Sequence, residues 1–196
     1  MARATTTDAA PDRSAGPYDR DLVRQWRDAL EAHDWTARPA RVARLVEAPR
    51  SGQREERDEV TVVAGQGFAG DYERKDYYKG ERQPGREVSA VALEVAQAVR
   101  ADPVAIGDNL VTEGVDLRAL EDGDWLLVGE EVVLRRSADP HRPCVPFRER
   151  TSPEAFATVA QGGFRGALFY AEEGGCIRAG APIRVVPKGA QRAKSE

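Results

Sequence analysis

One run of the chain combines residue types into a chemistry: Asp139-Pro140-His141-Arg142-Pro143-Cys144-Val145-Pro146-Phe147. Its three prolines stiffen the backbone around a thiol, while Arg142 and His141 bring positive charge beside it. Such a setting favours the thiolate, the form that attacks electrophiles and binds soft metals. The plainer alternative is a small buried hydrophobe, the usual fate of a lone cysteine. His141-x-x-Cys144 also has half a zinc-site spacing, but His33 and Cys176 lack any paired spacing, so zinc has little support. A Cys144–Cys176 disulfide is open on geometry and weakly supported by the expected compartment. Cys176, in Gly174-Gly175-Cys176-Ile177-Arg178, reads as a strand residue.

A second group is the Gly-bracketed turn Gly107-Asp108-Asn109-Leu110-Val111-Thr112-Glu113-Gly114. Its amides, with the Asn109 and Thr112 side chains, have the donors for a phosphate or a heterocycle edge. The same side chains also serve to satisfy their own turn, which is the commoner role. Arg86, Arg142 and Arg165 each sit in a predicted loop or strand mouth. Guanidinium groups suit bidentate phosphate contacts, yet singly each reads as a solvated surface charge. They matter together only where the fold brings them to one pocket.

Other chemistries are excluded by absence. There is no Gly-x-x-x-x-Gly-Lys phosphate loop, no Gly-x-Gly-x-x-Gly between strand and helix, and no Gly-x-Ser-x-Gly elbow. Two histidines, neither in a suggestive setting, leave little for a Ser-His-Asp triad. With 29 Lys+Arg against 33 Asp+Glu the chain is mildly acidic, which argues against a nucleic-acid or membrane coat. Two cysteines in 196 residues build no disulfide scaffold, no apolar run approaches the ~20 residues of a membrane helix, and the start lacks a signal-peptide core. The expected compartment is the cytoplasm.

The elements that must position these residues follow from periodicity. Leu22, Val23, Trp26 and Leu30 predict an amphipathic helix over 19–32, an appendage on the main domain. Short β-branched runs at 40–46 and 60–64 predict strands, with the charged stretch 50–59 as the loop of their hairpin. Tyr72 to Arg86 is a long polar, aromatic loop. Val88–Arg100 reads as a helix with Ser89 at its cap, ended by Pro103. Strands at 125–128 and 132–136 form a hairpin, a helix opens at Ser152-Pro153, and strands at 167–171 and 176–186 close the domain. The class is mainly β with a few helices, a closed or nearly closed barrel. The expected boundaries are a disordered tail at 1–17, the N-terminal helix at 18–37, the barrel at 38–187 and a second tail at 188–196.

In order, several segments resemble the MOSC domain family, named for the C-terminal domain of molybdenum-cofactor sulfurases. They are Gly67-Phe68-Ala69-Gly70-Asp71, Arg86-Glu87-Val88-Ser89, Gly107-Asp108-Asn109-Leu110 with Thr112-Glu113-Gly114, Gly123-Asp124 through Gly129, Arg142-Pro143-Cys144, Phe164-Arg165-Gly166 and Gly175–Pro182. The resemblance implies a MOSC-type β-barrel that binds the molybdenum cofactor (molybdopterin), with Cys144 as catalytic residue and ligand to the metal. It makes Arg86, Arg142 and Arg165 contacts for the pterin phosphate or heterocycle, and Ser89, Asn109 and Thr112 polar contacts at the pocket wall. The implied activity is reduction of N-hydroxylated or other N–O or S–O small molecules, with electrons from a separate donor protein. The alternatives are a sulfur or cofactor carrier, in which Cys144 takes persulfide sulfur from a cysteine desulfurase, and a non-catalytic module for another phosphorylated ligand. The run Tyr72-Glu73-Arg74-Lys75 departs from the family's usual Arg and aromatic or His after the Gly-Asp corner. The substrate class therefore does not carry over.

Overall fold

The computed structural model describes residues 17–190 of the chain. Of the expected tails, residues 1–16 and 191–196 lie outside them. The chain opens with α1 (Arg20–Glu31), whose first amides at Asp21 and Leu22 donate to the Asp19 side chain. Aspartate at this position satisfies donors that the helix itself leaves free. Val23, Trp26 and Leu30 are buried on one face.

The strands are β1 (Arg41–Glu47), β2 (Glu55–Arg57), β3 (Glu59–Val63), β4 (Gly67–Phe68), β5 (Tyr77–Tyr78), β6 (Glu81–Arg82), β7 (Val88–Ala92), β8 (Leu110–Glu113), β9 (Trp125–Val128), β10 (Val132–Arg136), β11 (Ala167–Glu173), β12 (Gly175–Arg178) and β13 (Ile183–Val186). Between them lie α2 (Leu93–Ala98), α3 (Pro103–Ile106), α4 (Val145–Arg150) and α5 (Pro153–Gly162). Eight strands form one sheet in the order β13-β9-β10-β11-β7-β8-β1-β2, antiparallel except for the β7–β8 pair. This sheet curls until β1 meets the segment entering β13. Val42 N donates to Ala181 O at 2.8 Å, Gly180 N to Val42 O at 2.8 Å, and Ile183 N to Ala40 O at 2.9 Å. A barrel seam is thus closed, with β2 as a short flap outside the ring. A second sheet, β12-β3-β4, packs beside it, and β5–β6 is a small separate hairpin.

Strand alternation gives the wall two apolar faces. Val88 and Ala90 of β7 and Leu110 of β8 join Val42, Leu45, Leu126, Leu134 and Phe169 inside the barrel. Val91 and Val111, from the same strands, face outward and are covered by Trp26, Leu30, Phe147, Phe156 and Phe164. The N-terminal helix packs onto this second core through Val23, Trp26 and Leu30.

The barrel class, the helices at 20–31 and 153–162 and the β9–β10 hairpin follow the sequence reading. Several segments differ, among them the predicted loop 72–86, which holds the β5–β6 hairpin. Residues 88–92 form a central strand, and only 93–98 are helical, so Ser89 is a strand residue and caps nothing. Val88 and Val91 fit a pleated surface buried on both sides, and that placement overrides the helical spacing of the valines. Pro103 starts α3 behind the Asp102 cap instead of merely stopping a helix. The charged stretch 50–59 contains β2, which pairs with β1, while β3 leaves for the second sheet, so β1 and β3 form no hairpin. Arg57 pairs there with Glu47 and Glu55, which lets a highly charged edge strand form. The closing run 176–186 is two strands in different sheets.

Candidate functional site

The Pro-rich run ends in α4, an element absent from the sequence reading. Pro146 lies in its first turn, and Cys144 is its N-terminal cap residue in extended conformation. Phe147, 1% exposed, anchors the helix, and Thr151 closes it by donating from N and Oγ1 to Phe147 O. Cys144 itself is a free, exposed thiol, next to Val145 at 56% exposure.

Beneath this rim lies a buried ionic cluster. Asp108 is 1% exposed and receives the Arg165 Nη1 hydrogen, with His141 Nε2 3.4 Å from its other oxygen. The Arg165 guanidinium stands 4.8 Å from the centre of the Phe147 ring. The anchor of α4 therefore rests on this ion pair. Burial works to raise the Asp108 carboxyl, but Arg165 and then His141 outweigh it, leaving it below the ordinary carboxylate value. Burial, reinforced by Arg165, pushes His141 down to about 3. His141 is thus a neutral, largely buried ring and not the positive charge that its place beside Cys144 suggested. Arg165 is likewise no surface charge: it is 5% exposed, and its Nε has no partner among the described residues.

A second network sits next to the first, through the neighbours Asp108 and Asn109. The Asn109 amide donates to Val46 O at 3.2 Å and to Asp71 Oδ2 at 2.8 Å. Its oxygen accepts from Lys75 Nζ and from the Ser89 N and Oγ at 3.3 and 3.4 Å. Lys75 Nζ also meets Asp71 Oδ2 at 2.8 Å, and Asp71 Oδ1 accepts from Ala48 N. Burial lowers the Lys75 pKa against the pull of Asp71. Asn109 and Ser89 are thus committed to holding the Gly107 turn against the Gly67–Asp71 corner. Thr112 lies at 0% exposure in β8, opposite Val42 of β1 and Ala92 of β7, with its hydroxyl unpartnered among the described residues.

Of the three candidate arginines, Arg86 pairs with Asp139 at 3.0 Å and Arg165 with Asp108, both around the 139–144 loop. Arg142 is exposed and makes no ion pair among the described residues. The loop gathers the three, but leaves only Arg142 uncommitted. The sequence reading missed Asp71, Lys75, Arg54 and Arg150. The Gly67–Asp71 corner was the available signal for the first two; the arginines gave none, because each looks like surface charge until α4 exists.

Among the described residues no three His, Cys, Asp or Glu side chains cluster to hold a metal ion. His33 lies beyond the end of α1, edge-on to Trp35 at 4.9 Å, and Cys176 is a free exposed thiol on β12. No described helix is long and apolar enough to cross a membrane.

A model of the MOSC domain family matches residues 79–184. Among solved structures, the chain is similar to the YuaD protein of Bacillus subtilis, with 21% identity, a TM-score of 0.62, and coverage of 76% of this chain and 96% of that one. It is also similar to YiiM from Geobacillus stearothermophilus, at 20% identity and TM-score 0.56 over 77% of each chain. YiiM from Escherichia coli follows at 22% identity and TM-score 0.51, covering 77% of this chain and 72% of that one. Comparison with curated proteins gives no match.

Proposed function

The chain belongs to the MOSC domain family, and from that footing we propose that it binds the molybdenum cofactor at the Cys144 rim and reduces small molecules carrying N–O or S–O bonds. The observation that carries this reading is the free, exposed thiol at the head of α4. The residues around it suit the group: the donor is soft, and Arg142, Arg148 and Arg150 flank it against the single acid Glu149. A mildly acidic chain needs such local cations to hold an anionic cofactor.

Cys144 is the residue that would ligate the metal, and Arg142 the one free to contact the pterin side. When bound, the cofactor supplies two-electron chemistry and an acceptor for oxygen. The chain supplies position. Asp108 and Arg165 hold Phe147, and so the thiol, from below; Asn109, Ser89 and Lys75 fix the turn that carries Asp108. Electrons come, in this reading, from a separate donor protein. Protein purified from a molybdate-replete host is expected to contain about one molybdenum and one pterin per chain. Cys144→Ser is expected to abolish turnover. Metal-free protein unable to take up added cofactor would falsify the proposal.

The exposure of Cys144 also favours a second reading, a sulfur carrier that meets a cysteine desulfurase directly. Incubation with a desulfurase and cysteine should then add the mass of one sulfur atom to Cys144. An unmodified thiol excludes it.

A further inference from the structure

Two arginines that come from distant parts of the sequence converge on Gly107. A Cβ built on this glycine would fall 2.7 Å from Arg150 Nη1 and 2.8 Å from Arg54 Nε, space that only the missing side chain leaves open. Arg54 donates to Gly107 O at 3.2 Å and to Gln53 O at 2.6 Å. Neither guanidinium has a carboxylate partner among the described residues. The nearby buried acids are already taken, Asp108 by Arg165 and His141, Asp71 by Lys75 and Asn109. Burial and the neighbouring Arg150 both weaken the hold of Arg54 on its proton, and together they outweigh the opposing pull of Asp71 and Asp108. Side-by-side cations without a directly paired acid are an unfavourable arrangement in the free protein. A doubly charged, tetrahedral anion relieves it best, because two planar forks offer it several convergent N–H donors.

We infer that Arg54 and Arg150 form a binding site for the phosphoryl group of a small molecule. Arg150 ends α4 and Cys144 begins it; at about 1.5 Å per helical residue the two lie on the order of 9 Å apart. A phosphorylated molecule laid along α4 would thus reach the thiol with its other end. Two sources share this chemistry: the phosphate of a pterin cofactor and that of a phosphorylated substrate. The link to Cys144 rests on the function proposed above, whereas the anion site does not.

The test uses the full chain from a molybdate-starved host, titrated calorimetrically with inorganic phosphate and with glycerol phosphate at constant ionic strength held by chloride. Wild type is expected to bind both. Arg54→Gln and Arg150→Gln should each weaken binding at least about tenfold, the double variant should lose it, and Arg54→Lys should recover part. Arg24→Gln, on the exposed face of α1, should match wild type. Equal affinity in wild type and double variant overturns the site, as does equal loss in Arg24→Gln. Phosphorus and molybdenum analysis of protein from a replete host then separates the sources. Joint loss of both in the double variant marks the cofactor phosphate. Unchanged molybdenum with lost glycerol phosphate binding marks a phosphorylated substrate. A chain that never holds molybdenum refutes the proposed function, while the phosphate titration still decides whether the two arginines bind the anion.

Discussion

At the scale of single residues, the ground under the thiol is more informative than the thiol. His141 releases its proton far more readily in the folded chain, at about 3, than at the ordinary 6.5. Below pH 6.5 the unfolded chain therefore binds a proton that the folded chain refuses, and stability falls as pH drops toward 3. Asp108, also held below its usual value, adds to the loss at the acid end of that range. Urea unfolding midpoints should decline from pH 7 to pH ~4.5, and His141→Gln should flatten that slope. Asp108→Asn strands Arg165 as a buried unpaired cation and should cost about 3–5 kcal/mol in the same assay at pH 7. Cys144→Ser, at an exposed position, should stay within about 0.5 kcal/mol of wild type. Stability would then separate the residues that hold the site from the one that faces the ligand.

At the scale of elements, the informative ones are those that sequence periodicity misplaced. The valines from Val88 to Val99 recur at helical spacing, yet β7 ends only at Ala92, because the wall needs a strand between β8 and β11. No local signal carries that need, since it comes from residues about twenty and eighty positions away. By contrast Ser152-Pro153 and the β9–β10 turn were legible, because their caps and turns act through near neighbours. The site divides in the same way. Cys144 and the Gly107 turn stand out by composition, whereas the burial of Arg165 and His141 and the convergence of Arg54 with Arg150 exist only once α4 has docked. Two substitutions test the packing directly. Leu30→Ala removes a 2% exposed side chain from the outer core and should cost about 2–4 kcal/mol. Gly166→Ala places a Cβ 1.9 Å from Ala90 O at φ +103°, where β11 runs against β7, and should cost about 2–4 kcal/mol. Chemical denaturation of each variant reads both.

At the scale of the whole molecule, one barrel wall serves two cores, and the proposed chemistry sits on the helical side of it. Beside the barrel seam an ionic lock ties β8 to β1: Glu113, 3% exposed at the end of β8, is held by Arg38 and Arg41 from the strand-β1 side, both at 2.5 Å. Glu113→Gln should lower stability by about 1–3 kcal/mol, read from urea unfolding, and leave the phosphate titration unchanged. The seam also sets a timetable. Arg41 bridges to Pro182, so a strand made early must wait for one made about 140 residues later before the ring can shut. While it waits, Val42 lacks its Ala181 and Gly180 partners and offers an unpaired edge to any neighbouring chain. Ribosome-bound chains stalled before residue 180 should therefore be the aggregation-prone species, and the polar, charged flap β2, farther along the same edge of β1, should not replace the missing closure.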